Sequence, residues 1–145
     1  MNRCVVDASV VAAAFFREEH AQAARRLLLS DRDLHAPDLI HAELASVIWK
    51  RHRRGELAEE EAIRLLADML TLPLLVAPSG ELEEGALQAA LRTGRTVYDC
   101  LYLALSIKLK TVMVTADRRL ANALAGGPLE RHVVWIGDSR LSARG

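Results

Sequence analysis

Five short runs rich in valine and leucine, spaced by much longer alanine- and leucine-rich stretches, restrict this chain more than any other feature. The runs are Cys4-Val5-Val6, Leu34-His35-Ala36, Leu74-Leu75-Val76, Val112-Met113-Val114 and Val133-Val134-Trp135-Ile136. Each is too short for a helix, and each gap is long enough for a helical crossover, so the runs read as strands of one parallel sheet. Helical periodicity predicts helices over Ala21 to Leu29, Leu39 to Arg54, Ala58 to Leu70, Glu81 to Thr93, Val97 to Leu109 and Arg118 to Ala125. Punctuation agrees: Pro37-Asp38 opens one helix, Gly55 closes it, Pro78-Ser79-Gly80 precedes another and Gly126-Gly127-Pro128 ends the last. The expected fold class is α/β, a three-layer α/β/α sandwich with a five-stranded parallel sheet. Residues 1–145 make one domain, and an apolar content of 51% is enough for a single core.

Charge and cysteine usage narrow the function classes. Basic and acidic residues number 19 each, so the chain lacks the bulk positive charge that holds duplex DNA, and any grip on nucleic acid is local. Cys4 and Cys100 lie far apart in apolar stretches, which suits reduced core thiols and a cytoplasmic protein better than a bridge or a zinc cage. The segment from Arg3 to Phe16 has the outline of a signal peptide, but Asp7 interrupts its apolar run. No stretch approaches the roughly 20 apolar residues that span a bilayer, so no membrane partner is expected.

In open parallel sheets ligands bind beyond the carboxyl ends of the strands, where the strand order reverses. The first strand runs into Asp7 and the fourth into Asp117; if the two strands are neighbours, their carboxylates share one pocket. Either aspartate alone fits equally well as the cap of the next helix. Glu43 is harder to explain that way. In the helix of Leu39, Ile40, Leu44, Val47 and Ile48 its spacing puts it on or beside the apolar face, where a carboxylate needs a partner or a cation. Asp99 stands in the first turn of the nearly all-apolar helix from Val97, where the macrodipole favours an acid. Four such carboxylates repel one another if they converge, and the ordinary remedy is a hard divalent cation. Magnesium fits, because it keeps several waters and takes one or two carboxylates directly. Ser9 and Thr115 flank this pocket as hydrogen-bonding hydroxyls, and serve equally as turn and cap residues.

The blocks Val5-Val6-Asp7-Ala8-Ser9, Ile40-His41-Ala42-Glu43-Leu44-Ala45, Tyr98-Asp99-Cys100-Leu101-Tyr102-Leu103-Ala104-Leu105 and Val114-Thr115-Ala116-Asp117-Arg118-Arg119-Leu120, in this order, resemble those of the PIN-domain ribonucleases, specifically the VapC-type toxins of toxin–antitoxin pairs. The resemblance covers almost the whole chain. It implies a PIN-like five-stranded parallel sheet and a magnesium- or manganese-dependent endoribonuclease. Its catalytic and metal-binding acids map onto Asp7, Glu43, Asp99 and Asp117, none of which is replaced. It also implies RNA products with a 5′-phosphate and a 3′-hydroxyl, and a cognate antitoxin as partner, with a homodimer expected. The apolar stretches Val10 to Phe16 and Leu65 to Leu75 are candidates for the partner groove, and fit core or dimer surface as well.

Among the basic residues, Arg92, Arg95, Arg118 and Arg119 flank Asp99 and Asp117 and are candidates for holding RNA near the metal. The cluster Lys50-Arg51-His52-Arg53-Arg54 is sufficiently explained as cations at a helix C-terminus, and its place nearly three turns beyond Glu43 also fits contact with phosphates distant from the cut. Tyr98, Tyr102 and Trp49 read as packing residues, since an aromatic content of 4% supplies no stacking platform. Two other enzyme or signalling classes fit less well. A haloacid-dehalogenase-like phosphatase has a second acid two positions after its first aspartate, where this chain has Ser9, and a receiver domain needs a lysine after a late strand. A non-catalytic PIN scaffold for RNA or protein binding is the alternative from outside the enzymes, and the intact acids argue against it.

Overall fold

The computed structural model describes residues 2–139 and 141. Its strands are β1 (Arg3–Val6), β2 (Asp33–Pro37), β3 (Leu75–Ala77), β4 (Met113–Thr115) and β5 (Val133–Trp135), all parallel in the order β3-β2-β1-β4-β5. Among the described residues seven α-helices connect them: α1 (Ala8–Phe15), α2 (Ala21–Leu28), α3 (Leu39–Arg53), α4 (Glu59–Met69), α5 (Glu83–Thr93), α6 (Val97–Lys108) and α7 (Arg118–Leu124). From β1 the chain steps twice to one side, then returns past β1 to lay down β4 and β5. Right-handed crossovers therefore put α1 to α4 on one face of the sheet and α5 with α6 on the other. α1 packs on α2 and α3, and α6 packs on β1, β2 and β4. This is the expected three-layer sandwich, and its topological switch point falls between β1 and β4.

Burial explains the one helix that periodicity did not mark. From Ala8 to Phe15 the sequence is apolar on every side, so it has no amphipathic signal, and α1 lies inside the protein with Val10, Val11, Ala12, Ala13 and Ala14 buried. The stretch Val10 to Phe16 is thus core and not a partner groove. α6 is the other interior helix: every residue from Cys100 to Ser106 is buried. The edge strand β3, by contrast, leaves Leu75 and Val76 exposed, and Leu70 just before it is exposed as well. The boundaries of the remaining elements fall close to the expected ones.

Both cysteines are buried free thiols. Of the three rings expected to pack, only Tyr102 does. Trp49 is 52% and Tyr98 64% exposed. Trp49 lies on the wet side of α3, with the Arg53 guanidinium 4.9 Å from its ring centroid, and Tyr98 precedes the buried run of α6. Among the described residues no helix is long and apolar enough to cross a membrane.

Candidate active site

Strand register builds the centre of the site. Val6 pairs with Val114, so Asp7 and Thr115, one residue further on, emerge side by side at the switch point. Asp7 caps α1: its Oδ1 accepts from the Ser9 amide at 3.0 Å, the Val10 amide at 3.3 Å and the Ser9 hydroxyl. Its Oδ2 accepts from the Thr115 hydroxyl at 2.6 Å. Each hydroxyl in turn accepts from the loop between β4 and α7, Ser9 Oγ from the Ala116 amide at 2.9 Å and Thr115 Oγ1 from the Asp117 amide at 3.0 Å. Ser9 and Thr115 are therefore relays that aim the dipoles of one loop at the carboxylate of the other.

A cap needs no burial, yet Asp7 is only 7% exposed. Among the described residues no basic side chain stands within ion-pair distance of it. Burial pushes its carboxyl up to about 6, against the pull of the Ser9, Thr115 and Val10 donors, and the charge of Glu43 adds to the rise.

Glu43 is half-buried on α3, as its spacing on that helix predicts, but its partner is a phenol and not an arginine. The Tyr102 hydroxyl donates to Glu43 Oε1. Burial raises the Glu43 pKa, the tyrosine lowers it in part, and the charge of Asp99 raises it again. Asp99 lies one turn before Tyr102 on α6, where Thr96 caps the helix through the Asp99 amide. Arg95 holds Asp99 Oδ2 at 3.3 Å. Tyr102 feels the charges of Glu43, Asp7 and Asp99 together, which with burial raise its pKa well above the ordinary phenol value. Asp7, Glu43 and Asp99 thus form one electrostatic unit with Tyr102 among them. The sequence pattern assigns Tyr102 to packing; its place three residues after Asp99, on the same side of α6, is the signal that points to the site instead.

Asp117 sits differently. It is an exposed cap of α7, with Oδ1 accepting from the Arg119 amide at 3.0 Å and the Leu120 amide at 3.3 Å. Its link to the centre is the Thr115 hydroxyl. Of the four arginines, Arg95 is the one whose guanidinium pairs with an acid of the set among the described residues. The Arg118 guanidinium lies 4.5 Å from the Trp135 ring centroid, on the strand beside Thr115. Arg119 is exposed, and Arg92 lines a groove of about 300 Å³ between α5 and α6 with Gln88, Ala104 and Lys108. The Lys50 to Arg54 cluster is tied up locally: Arg51 pairs with Glu18 at 2.8 Å and lies 4.0 Å from the Phe16 ring centroid, and Arg54 pairs with Glu56.

The side chains brought together here offer hard oxygens, carboxylate and hydroxyl. Among the described residues no three acidic, histidine or cysteine side chains stand close enough to cage an ion by themselves. Such a set fits a cation that takes one or two carboxylates directly and reaches the others through water, which is how magnesium binds.

Comparison with known proteins shows the family. The PIN domain family model matches residues 4–124. Ribonuclease VapC3 of Pyrobaculum aerophilum is 39% identical over 121 residues, covering 82% of this chain and 92% of its own. The crystal structure of PAE2754 from Pyrobaculum aerophilum superposes with a TM-score of 0.66 at 26% identity, over 97% of this chain and 90% of the other. VapBC2 from Rickettsia felis, in a structure with a DNA fragment from its promoter, shares the fold at a TM-score of 0.60 and 12% identity, over 92% of this chain and 98% of that one. With the fold and a family match over most of its length in agreement, this chain belongs to the PIN domain family.

Proposed function

We propose that this chain is a VapC-type endoribonuclease, the toxin of a toxin–antitoxin pair, that hydrolyses RNA phosphodiester bonds with a divalent cation held by Asp7, Glu43 and Asp99, with Asp117 at the margin. The observation that carries the metal is Asp7: a buried carboxylate with hydroxyl and amide donors but no counter-charge, pressed by Glu43. A cation there offsets lost hydration and mutual repulsion at once. When bound, magnesium or manganese supplies a lowered pKa for the attacking water and a positive charge for the phosphoryl oxygens. The chain's own residues do the rest. Ser9 and Thr115 fix the Asp7 rotamer, Tyr102 fixes Glu43, and Arg95, paired with Asp99, together with Arg118 and Arg119, exposed at the start of α7, holds RNA phosphates near the cut, with Arg92 further along.

The family's toxins act beside an antitoxin, and the exposed apolar residues Leu70, Leu75 and Val76 suit such a partner or a second copy of the chain. The activity belongs in the cytoplasm. The test is cleavage of RNA by the purified, partner-free chain. Cuts leaving a 5′-phosphate and a 3′-hydroxyl are expected with magnesium or manganese and none in excess chelator; undiminished cleavage in chelator contradicts the metal. Expression without antitoxin is expected to arrest growth of a bacterial host, and normal growth despite abundant RNA-cleaving protein contradicts the toxin role while leaving the nuclease.

A further inference from the structure

Tyr102 is 2% exposed, and its ring belongs to the apolar core between α6 and the sheet. Its hydroxyl alone leaves that core, crossing 59 residues of sequence to Glu43 on α3. The two helices lie in opposite outer layers of the sandwich, so this hydrogen bond ties the acid of one layer to the helix that carries Asp99. Among the described residues Glu43 makes no ion pair, and Tyr102 is the only side chain whose hydrogen bond to it is seen.

The choice of a phenol matters. An arginine or lysine at this place satisfies Glu43 equally well but adds a second positive charge, besides that of Arg95 on Asp99, where a cation is to bind. A phenol, whose ordinary pKa is about 10, is a neutral donor at physiological pH. It occupies Oε1 of Glu43 and restricts the rotation of a side chain that otherwise has three free torsions. Ligands aimed by such hydrogen bonds bind ions more tightly than unaimed ones, and loss of the aiming group costs about 10- to 100-fold in affinity.

Resting on the metal-dependent reading of the site, we propose that Tyr102 is a positioning residue that holds Glu43 ready for the divalent cation. Its contribution is to the free chain, before any metal or RNA arrives. A tyrosine kept only to fill the core supports stability and leaves the metal affinity of the folded protein alone.

The experiment is calorimetric titration of manganese into the folded chain and its variants Tyr102→Phe, Glu43→Gln and the double variant, each checked for fold by circular dichroism. Tyr102→Phe keeps the ring, so the core stays filled. Its manganese affinity is expected to fall about 10-fold or more. In the Glu43→Gln background the same change is expected to have little further effect, because the tyrosine acts through the glutamate. Equal affinities of wild type and Tyr102→Phe overturn the positioning role and leave the metal site standing. An equal loss in both backgrounds also overturns it, since the tyrosine then acts by another route. A wild-type chain that binds no manganese overturns the metal-dependent reading itself.

Discussion

Asp7 and Asp117 end neighbouring strands and cap the next helices, each taking two backbone amides on one carboxylate oxygen. In sequence they are twins. In the structure Asp7 is buried, raised in pKa and wired to two hydroxyls, while Asp117 is exposed and commits its cap to α7 in the open. The difference comes from the helix that each aspartate caps. α1 is an interior helix, so its N-terminus and cap lie inside, whereas α7 leaves Arg118 and Arg119 in water. The same local motif therefore gives an exposed cap in one place and, in the other, a buried carboxylate with no basic partner among the described residues.

Substituting the two aspartates alike is the strongest way to break that comparison. Asp7→Asn is expected to lower RNA cleavage by more than about 100-fold, the scale on which losing one preorganised electrostatic group costs an active site. Asp117→Asn is expected to lower it by about 10-fold. Equal losses measured in one cleavage assay contradict the ranking.

A second consequence lies in the pH dependence of metal-free stability. The folded Asp7 carboxyl sits at about 6 against an ordinary 3.8, so between those values the native chain keeps a proton that the unfolded chain has shed. The Asp7 contribution to stability is therefore greatest below about pH 4, falls as pH rises through 6, and levels above it. The shift of about two pKa units is worth roughly 3 kcal/mol at most. Glu43, also raised, acts in the same direction. Chemical denaturation across this range is expected to show the slope in wild type and a flatter one in Asp7→Asn.

Thr115→Val removes the hydroxyl that joins the two aspartate loops and leaves the Asp117 amide without its acceptor. About 1 to 3 kcal/mol of stability is expected to go with it, read from denaturation midpoints. The smallest effect belongs to the exposed cap: Asp117→Asn leaves stability within about 0.5 kcal/mol, because asparagine caps about as well, and Asp117→Ala costs about 1 kcal/mol.

Much of this is legible in the sequence because it is carried by local patterns. Valine-rich runs separated by helical stretches mark the layers, and two strands ending in aspartate locate the switch point. The rest depends on partners far along the chain. The spacing of Glu43 shows that it needs a partner, but only the fold brings Tyr102 to it across the sheet. Nor does any local pattern separate Asp7 from Asp117, since both read as caps and burial is a property of the packed helix. α1 escapes for a related reason: a helix apolar on all sides carries no period to detect.

The most direct measurement of the central claim is the change in melting temperature when magnesium is added to the wild type and to Asp7→Asn. A cation that binds only the folded chain raises its stability by mass action. If Asp7 helps to hold it, wild type gains several degrees in millimolar magnesium and Asp7→Asn gains little, although the variant starts out the more stable of the two in metal-free buffer. An equal magnesium shift in both proteins would contradict the assignment and reduce Asp7 to what Asp117 resembles, the cap of a helix.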